Sequence, residues 1–238
     1  MRILLIIPAY NEEESIVSTI NKIEQFKKST DLAVDYVVIN DGSTDKTAEI
    51  LENHEMNHVD LVTNLGIGGA VQTGYRYAQK FNYDIAVQFD GDGQHDIASL
   101  PDLVAPILRG DVDFTIGSRF VKNSSSEFQT TASRRLGINI LSGLIHLFNR
   151  KKILDVTSGY RAADKKVINY FAERYPQKFP EPETLVHLIR KKYQIEEIPV
   201  NMFEREGGAS SIHSIKSVIY MVEVSIAILA NSFMREGD

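Results

Sequence analysis

Two carboxylates one residue apart, Asp90 and Asp92, are the strongest sign of chemistry in this chain. Residues 84–89 in front of them are typical of a buried strand, so both side chains lie where that strand ends. Strand ends that face a crevice are where open α/β sheets bind ligands. Hard oxygen donors suit Mg²⁺ or Mn²⁺, whose coordination substrate phosphates often complete. The pattern favours a metal and diphosphate site, although Asp-Gly pairs are also common turn formers.

The composition limits the classes of function. A chain of 238 residues with 43% hydrophobic content can bury a full core as one domain, or as one domain with an added end. The net charge of -6 argues against a nucleic-acid partner. The chain has no cysteine for disulfides or thiolate metal sites. Residues 1–8 hold too short an apolar run for a signal peptide, and no uninterrupted apolar stretch predicts a spanning helix.

Strand-like and helix-like segments alternate along the first half of the chain. Strands are predicted at residues 3–8, 36–40, 59–63, 85–90 and 114–117, and helices at 12–27, 44–54, 69–81 and 99–108. This alternation predicts a mostly parallel, Rossmann-like α/β sheet flanked by helices. Further along we predict helices at 133–148 and 183–192, a strand at 195–203 and an apolar C-terminal helix at 214–234.

Polar residues also follow the first two predicted strands. Tyr10 can lie against a nucleotide base, and Asp41 can accept hydrogen bonds from a base or a ribose. Alternatively, Asn11 and either Ser43 or Thr44 are N-caps of the helices that follow. These positions line a crevice under either interpretation, because the carboxyl ends of parallel strands meet at one edge of the sheet.

The glycine-rich stretch at residues 64–74 follows the third predicted strand. Val71 occupies the position where a dinucleotide-binding fingerprint has its third glycine, and that fingerprint normally follows a first strand. The sequence therefore argues against a dehydrogenase. We interpret the stretch as a glycine-lined wall beside a nucleotide.

Four motifs in this order resemble those of family 2 glycosyltransferases with the GT-A fold. They are Pro8-Ala-Tyr-Asn-Glu12, Asp41-Gly-Ser-Thr-Asp45, Asn64-Leu-Gly-Ile-Gly68 and Asp90-Gly-Asp-Gly-Gln94. Gly117-Ser-Arg119 and Asp155-Val-Thr-Ser-Gly-Tyr-Arg161 are similar to the polyprenyl-phosphate branch, which includes dolichol-phosphate mannose synthases. The resemblance implies a catalytic domain at 1–211, with a nucleotide-sugar half at 1–117 and an acceptor half at 118–211. Residues 212–238 would form an apolar helix for the membrane interface or for docking a partner.

The resemblance assigns roles to individual residues. The implied nucleotide-sugar contacts are Pro8, Tyr10, Glu12, Asp41, Asp90, Gly91 and Asp92. The implied ligands of Mg²⁺ or Mn²⁺ are Asp90, Asp92 and Gln94. The implied acceptor-phosphate contacts are Arg119, Arg134, Arg135, Arg161 and Arg205, since arginine binds phosphate bidentately and stays charged. The expected catalytic residues are Asp92, Arg119 and Arg134.

The implied reaction is inverting transfer of a sugar from a nucleoside-diphosphate sugar to a polyprenyl phosphate, for cell-wall or surface glycan assembly. The resemblance favours UDP-N-acetylglucosamine or UDP-glucose as the donor and undecaprenyl phosphate as the acceptor. A phosphate monoester is mostly dianionic at neutral pH and needs no base to attack. One alternative is a hydroxyl acceptor with Glu183 as the base, and another is a non-catalytic nucleotide-sugar-binding subunit. The branch often has a lysine in the loop after its last arginine; here residues 207–211 have none, and His213 or Lys216 is the candidate replacement.

A polyprenyl phosphate is a membrane lipid, so the protein is expected in the cytoplasm, peripheral on the inner face of the cell membrane. The predicted helix at 133–148 has apolar residues at helical spacing: Leu136, Ile140, Leu144, Leu147 and Phe148. This helix and the one at 214–234 are candidates to lie in the membrane interface, with core packing as the alternative. The second helix is also a candidate to dock on a small integral membrane partner or to form a homo-oligomer.

Overall fold

The structure of the chain, a computed structural model, describes residues 1–121, 132–203 and 214–233, and for 132–134, 214–220 and 233 it describes the backbone alone. A seven-stranded sheet is the centre of the fold. Its strands are β1 (Arg2–Ala9), β2 (Ala33–Asn40), β3 (His58–Asp60), β4 (Ile85–Gln88), β5 (Phe114–Ser118), β6 (Arg161–Asp164) and β7 (Ile195–Pro199). The order across the sheet is β3-β2-β1-β4-β6-β5-β7.

The sheet is mostly parallel, which confirms the predicted architecture. β1 pairs in parallel with β2 and β4, β2 with β3, and β5 with β7. β6 alone among these strands runs antiparallel, between β4 and β5. The sequence analysis missed β6 because Arg161-Ala-Ala-Asp164 has none of the β-branched or aromatic residues that mark a strand. Since β6 is antiparallel to both neighbours, β4 and β5 end at the same edge of the sheet.

Eight α-helices in the described ranges surround the sheet. They are α1 (Ile16–Ser29), α2 (Thr47–Asn53), α3 (Gly66–Lys80), α4 (Leu100–Arg109), α5 (Ala132–Asn149), α6 (Lys165–Glu173), α7 (Pro180–Arg190) and α8 (Ser214–Phe233). α1 and α2 begin three or four residues later than predicted, because the residues after β1 and β2 form loops that bind each other. Within the described ranges, no helix is both long and apolar enough to cross a membrane. The division into residues 1–117 and 118–211 stays a prediction.

The hydrophobic core lies on both faces of the sheet. Along β1, Leu4 and Ile6 pack into one layer, while Ile3, Leu5 and Ile7 pack into the other, and all five are fully buried. A strand covered on both faces is a continuous apolar run rather than an alternating one. The core therefore fixes the central strands, and their carboxyl ends position the loops that carry the polar motifs.

Candidate active site

The candidate site is a cavity at the point where the strand order reverses. β1 lies between β2 and β4, so the connections after β1 and β4 lead towards opposite ends of the sheet. The crevice between such connections is the usual ligand site of an open α/β sheet. The cavity has a volume of about 810 Å³. Small-molecule sites commonly measure roughly 300–1,000 Å³, so a nucleotide sugar fits this range.

The loops after β1 and β2 bind each other through hydrogen bonds. The backbone N–H of Asn11 donates to Ser43 Oγ at 3.0 Å, and Asn11 Oδ1 accepts the backbone N–H of Thr44 at 2.8 Å. The backbone N–H of Glu12 donates to Thr47 Oγ1 at 2.9 Å. The interpretation of Asn11 as the N-cap of α1 is therefore wrong: its side chain joins two loops, in a left-handed backbone conformation with φ of 57°. These bonds hold the predicted motif residues at the wall of the cavity.

The predicted nucleotide contacts line this wall. Pro8, Tyr10, Glu12 and Asp41 all border the cavity, and the Tyr10 side chain is exposed at it. Asp41 is buried, and its Oδ1 accepts the backbone N–H of Leu65 at 2.7 Å, just before α3 begins. Burial raises the pKa of Asp41, although the backbone N–H groups of Leu65 and Gly66 at the start of α3 oppose the rise. The structure brings these four residues together; their contact with a nucleotide stays a prediction.

The glycines of residues 64–74 either line the cavity or permit close packing of α3. Gly66 lines the cavity with a φ of 78°, and a Cβ placed there would meet nothing within 4 Å. A Cβ on Gly68 would lie 2.5 Å from the backbone of Gln177, so this glycine permits close packing of α3 on the segment before α7. Gly74 is pressed against Ile6 of β1 in the same way. Gly66 therefore lies in the cavity wall, whereas Gly68 and Gly74 serve packing, and a contact of this wall with a nucleotide stays a prediction.

Asp90, Gly91 and Asp92 also line the cavity. Asp92 is 3% exposed, and its Oδ1 accepts the backbone N–H of Gln94 at 3.1 Å. The Gly91 carbonyl accepts a hydrogen bond from the Thr19 hydroxyl at 3.0 Å, which ties the turn to α1. Gln94, the third predicted metal ligand, lies outside the residues that line the cavity. Its carbonyl accepts the backbone N–H of Phe203 at 2.9 Å.

The cavity is strongly acidic. Eight of its lining side chains are carboxylic acids: Glu12, Glu13, Glu14, Asp41, Asp45, Asp90, Asp92 and Glu181. Of the described residues that line it, none is a lysine, arginine or histidine. Two like charges 4 Å apart repel by about 4 kcal/mol at the effective dielectric near a protein surface. A diphosphate therefore needs accompanying cations to bind here.

The residues at this position fit a divalent cation. Asp90 and Asp92 offer hard oxygen donors at the wall of the cavity. Within the described ranges, no cluster of three or more histidine and acidic side chains is close enough to hold an ion by itself. Mg²⁺ usually takes only one or two carboxylates from the protein and the remaining ligands from water and phosphates. The donor set thus matches a metal that binds together with its substrate.

Arg119, the first predicted acceptor contact, forms a buried ion pair. Its Nε and Nη2 lie 2.7 Å from the two carboxylate oxygens of Asp155, and its backbone N–H donates to Asp155 Oδ2 at 3.0 Å. The side chains are 5% and 0% exposed. A buried arginine needs such a partner, because an unpaired buried charge is costly. The guanidinium is therefore held by the protein, and its contact with an acceptor phosphate stays a prediction.

Arg161 is a second buried arginine with protein partners. Its guanidinium donates to the carbonyls of Ser158, Glu181 and Val156 and to the hydroxyl of Thr184, at 2.6 to 3.2 Å. These bonds use four of the five N–H groups that arginine has. Arg161 therefore joins the loop before β6 to the start of α7, and the predicted phosphate contact finds no support in this arrangement.

Arg135 differs from these two arginines. Its guanidinium lies 3.5 Å from the ring centre of Phe120, which stabilises a cation by its π-electrons. Its Nη1 is buried and has no hydrogen-bond partner among the residues that the structure describes. Arg134 lies in the first turn of α5, where only the backbone is described, and Arg205 lies outside the described residues. Cations at the start of a helix oppose its macrodipole, so Arg135 would gain from an anion.

Glu181 is a cavity residue that the sequence analysis overlooked. It lines the cavity, whereas Glu183, the base considered from the sequence, accepts a hydrogen bond from Asn231 Nδ2 at 2.9 Å, towards α8. Burial raises the pKa of Glu181; Arg161 opposes the rise and Asp90 adds to it. Residues two apart on a helix point in different directions, so Glu181 and Glu183 cannot share the role. Of these two residues Glu181 borders the cavity and Glu183 does not, and a role as the base stays a prediction for either.

Comparison with known proteins identifies the family. Residues 4–171 match the family described as Glycosyl transferase family 2, and the chain belongs to this family. Glucosyl-3-phosphoglycerate synthase from Mycobacterium tuberculosis, solved with Mn²⁺, UDP and phosphoglyceric acid, has the same GT-A fold. The TM-score is 0.72 at 21% identity, over 99% of this chain and 80% of that chain. The same synthase has also been solved with Mg²⁺ and UDP.

Two curated relatives cover most of the chain. One is the UDP-N-acetylglucosamine–dolichyl-phosphate N-acetylglucosaminyltransferase of Methanococcus voltae, which is 30% identical over 86% of this chain and 86% of its own length. The other is the undecaprenyl-phosphate mannosyltransferase of Micrococcus luteus, 29% identical over 89% of this chain and 88% of its own. Both names specify a polyprenyl phosphate, but they differ in the sugar.

Proposed function

We propose that this protein transfers a sugar, with inversion, from a nucleoside-diphosphate sugar to the phosphate of a polyprenyl phosphate. A UDP-sugar is the favoured donor. The observation that carries the proposal is an acidic cavity and a cationic helix start at one edge of the sheet. Asp90 and Arg119 follow β4 and β5, which end at that edge. The guanidinium of Arg135 lies over the ring of Phe120, the residue after Arg119.

The two relatives support a lipid phosphate as the acceptor. Their names state dolichyl phosphate and undecaprenyl phosphate as acceptors. An acceptor phosphate would provide the anion that the buried Nη1 of Arg135 lacks in the described part of the chain. Arg119, Arg134 and Arg205 remain part of the proposed acceptor site.

The proposed reaction needs no proton transfer. An oxygen of the acceptor phosphate forms a bond to the anomeric carbon while the bond from that carbon to the donor diphosphate breaks. The electron pair leaves with the nucleoside diphosphate, and attack from the opposite face inverts the anomeric centre. A phosphate monoester is mostly dianionic at neutral pH. The task of the arginines is therefore to hold it in line, since orientation alone contributes much of an enzyme's rate.

The donor half of the site has to neutralise charge. The carboxylates of Asp90 and Asp92 would hold a divalent cation, which would neutralise the departing diphosphate. Tyr10 would stack on the base, and Asp41 would accept hydrogen bonds from the base or the ribose. Asp41 is already oriented by the N–H group of Leu65, so it can accept such a bond without moving.

The test is transfer of label into lipid. The purified protein is incubated with undecaprenyl phosphate, Mn²⁺ or Mg²⁺ and a panel of labelled nucleotide sugars. We expect label in the organic phase, lost with EDTA and reduced at least a hundredfold by Asp92→Asn. Asp111→Asn is the matched control, because Asp111 is an exposed carboxylate before the first residue of β5; this variant should leave transfer unchanged. Nucleotide-sugar binding without any product would instead favour a non-catalytic subunit.

A second candidate is transfer to a hydroxyl, with Glu181 as the general base. It is favoured by the position of Glu181 in the cavity and by its raised pKa. A general base typically contributes about 10²–10⁴-fold to the rate. Glu181→Gln would therefore reduce transfer to a hydroxyl acceptor by at least a hundredfold. With a phosphate acceptor, the same variant should retain transfer within about tenfold, since no proton has to be removed.

Exposed apolar residues support association with a membrane surface. Leu136, Ile140 and Leu147 form one exposed stripe along α5, while Leu141 and Ile145 on the opposite face are fully buried. Core packing and surface exposure thus apply to different faces of one helix. Apolar stripes next to basic residues are typical of helices that lie in the membrane interface, and Arg150-Lys151-Lys152 follows α5 directly.

The membrane proposal is tested with vesicles containing anionic lipid. α8 contributes Val224 and Ile228 to the core, so its removal would expose the interior and would not isolate membrane binding. The double variant Leu136→Glu and Ile140→Glu changes the exposed stripe alone. We expect it to abolish sedimentation with the vesicles, while Val62→Glu, at a fully exposed valine elsewhere, has no effect. Equal sedimentation of all three proteins would contradict the proposal.

A further inference from the structure

His95 is buried directly behind the Asp90-Gly91-Asp92 turn. It is 6% exposed, and its ring stacks on that of Tyr160 with a centroid distance of 4.7 Å and an interplanar angle of 11°. The ring of Phe89 meets it edge-on at 5.5 Å. These contacts leave the imidazole no free rotation, because interiors are close-packed.

Both ring nitrogens of His95 lie close to atoms of a single residue, Asp90. The backbone N–H of Asp90 donates to His95 Nδ1 at 3.0 Å. A backbone N–H can only donate, so Nδ1 is the acceptor and the ring proton is on Nε2. Nε2 lies 3.4 Å from Asp90 Oδ2, where its N–H dipole attracts the carboxylate.

The carboxylate of Asp90 is also confined from another side. A Cβ placed on Gly159 would lie 3.0 Å from Asp90 Oδ2 and 3.3 Å from Asp90 Oδ1, so the carboxylate packs against this glycine. Tyr160, the next residue, provides the ring on which His95 stacks. One short segment thus confines the Asp90 side chain and fixes the histidine that faces it.

We propose that His95 is a positioning residue that orients the Asp90 carboxylate for a divalent cation. The inference rests on the metal site of the proposed function. Carboxylates that bind metals are commonly held by a hydrogen-bonding neighbour, and loss of that neighbour weakens metal affinity by about 10–100-fold. His95 supplies two contacts to one ligand, one to its backbone and one to its side chain.

Three substitutions separate these contacts. His95→Gln can place an amide N–H near the position of Nε2, and His95→Asn can place an oxygen acceptor near the position of Nδ1. His95→Phe retains an aromatic ring on Tyr160 and removes both polar contacts. His54→Gln, at an exposed histidine after α2, is the matched control.

The measurement is binding of Mn²⁺ in the presence of saturating UDP, followed by electron paramagnetic resonance, with melting temperatures measured in parallel. We expect the dissociation constant for Mn²⁺ to rise about 10–100-fold for His95→Phe and His95→Asn. It should rise less than about threefold for His95→Gln, because the contact to the carboxylate is kept. His54→Gln should match the wild type.

Three results would overturn the proposal. The first is a folded His95→Phe variant that binds Mn²⁺ as tightly as the wild type, and the second is a wild-type protein that binds no Mn²⁺ with UDP. An equal loss of affinity in all three variants, in step with their melting temperatures, would also contradict it, since packing alone would then explain the result. Failure of the proposed function is a separate outcome: tight Mn²⁺ binding without any labelled lipid.

Discussion

Replacing Asp155 with asparagine tests how the Arg119 guanidinium is held. In the structure both oxygens of Asp155 accept from this guanidinium, and one also accepts the backbone N–H of Arg119. Asparagine keeps the shape but removes the charge, and its NH₂ group faces an arginine donor. The variant therefore leaves a buried cation without its counter-ion.

The expected effect is large. Removal of one partner from a buried ion pair typically costs about 3–5 kcal/mol. For a chain of this size, each 1 kcal/mol shifts the melting temperature by roughly 2–4 °C, so Asp155→Asn should melt about 6–20 °C below the wild type. The shift is measured by circular dichroism or by dye fluorescence in a buffer without metal.

Asp111→Asn is the matched control, because it makes the same chemical change in an exposed ion pair. The Arg109 and Asp111 side chains are 60% and 55% exposed, and their pair measures 2.7 Å. Exposed pairs contribute about 0–1 kcal/mol, so this variant should melt within roughly 4 °C of the wild type. If Asp155→Asn also melted within that range, the Arg119 ion pair would not stabilise the fold and our reasoning would fail.

Three further predictions follow from particular contacts. Gly68→Ala places a Cβ against the Gln177 backbone and should lower the free energy of unfolding by about 1–3 kcal/mol. Gly143→Ala has open space around the new Cβ and should raise it by about 0.5–1 kcal/mol. The midpoints of urea unfolding measure both changes. Burial raises the pKa of Glu181. At pH values above the ordinary pKa of a glutamate, the ionised side chain therefore lowers the stability of the fold. Glu181→Gln in EDTA should therefore melt above the wild type at pH 8 and equal to it at pH 4; a difference independent of pH would contradict this. Thr47→Val removes the hydroxyl that joins the loops after β1 and β2. It should cost about 1–3 kcal/mol and raise the KM for the nucleotide sugar, whereas Thr47→Ser should not.

The sequence was sufficient to place the residues of the proposed donor side of the site, because its signals are local. Each apolar run that predicted a strand also fixed where that strand ends, and the polar motifs stand directly at those ends. Parallel strands then bring their carboxyl ends to one edge without further information. Tyr10, Asp41, Asp90 and Asp92 therefore meet in one cavity, as their positions after predicted strands indicate.

The arrangement of the proposed acceptor side depends on contacts between distant residues. Arg119 and Asp155 are 36 residues apart, and their ion pair exists only because β5 and the loop before β6 are packed together. β6 itself has no strand-forming residues and takes its conformation from the strands on either side. No local sequence pattern distinguishes an arginine that is paired with an aspartate of the protein from one that is available to bind a phosphate.

The amino-acid sequence by itself determined the family, the order of strands and helices from β1 to β5, and the carboxylates after β4, because periodicity and strand-end motifs are properties of adjacent residues. The tertiary structure decided which face of α7 meets the cavity, and hence that Glu181 rather than Glu183 lies there. It also decided that His95 faces Asp90. Side-chain direction and burial are set by packing across the whole chain, and these determine which of several similar residues meets a ligand.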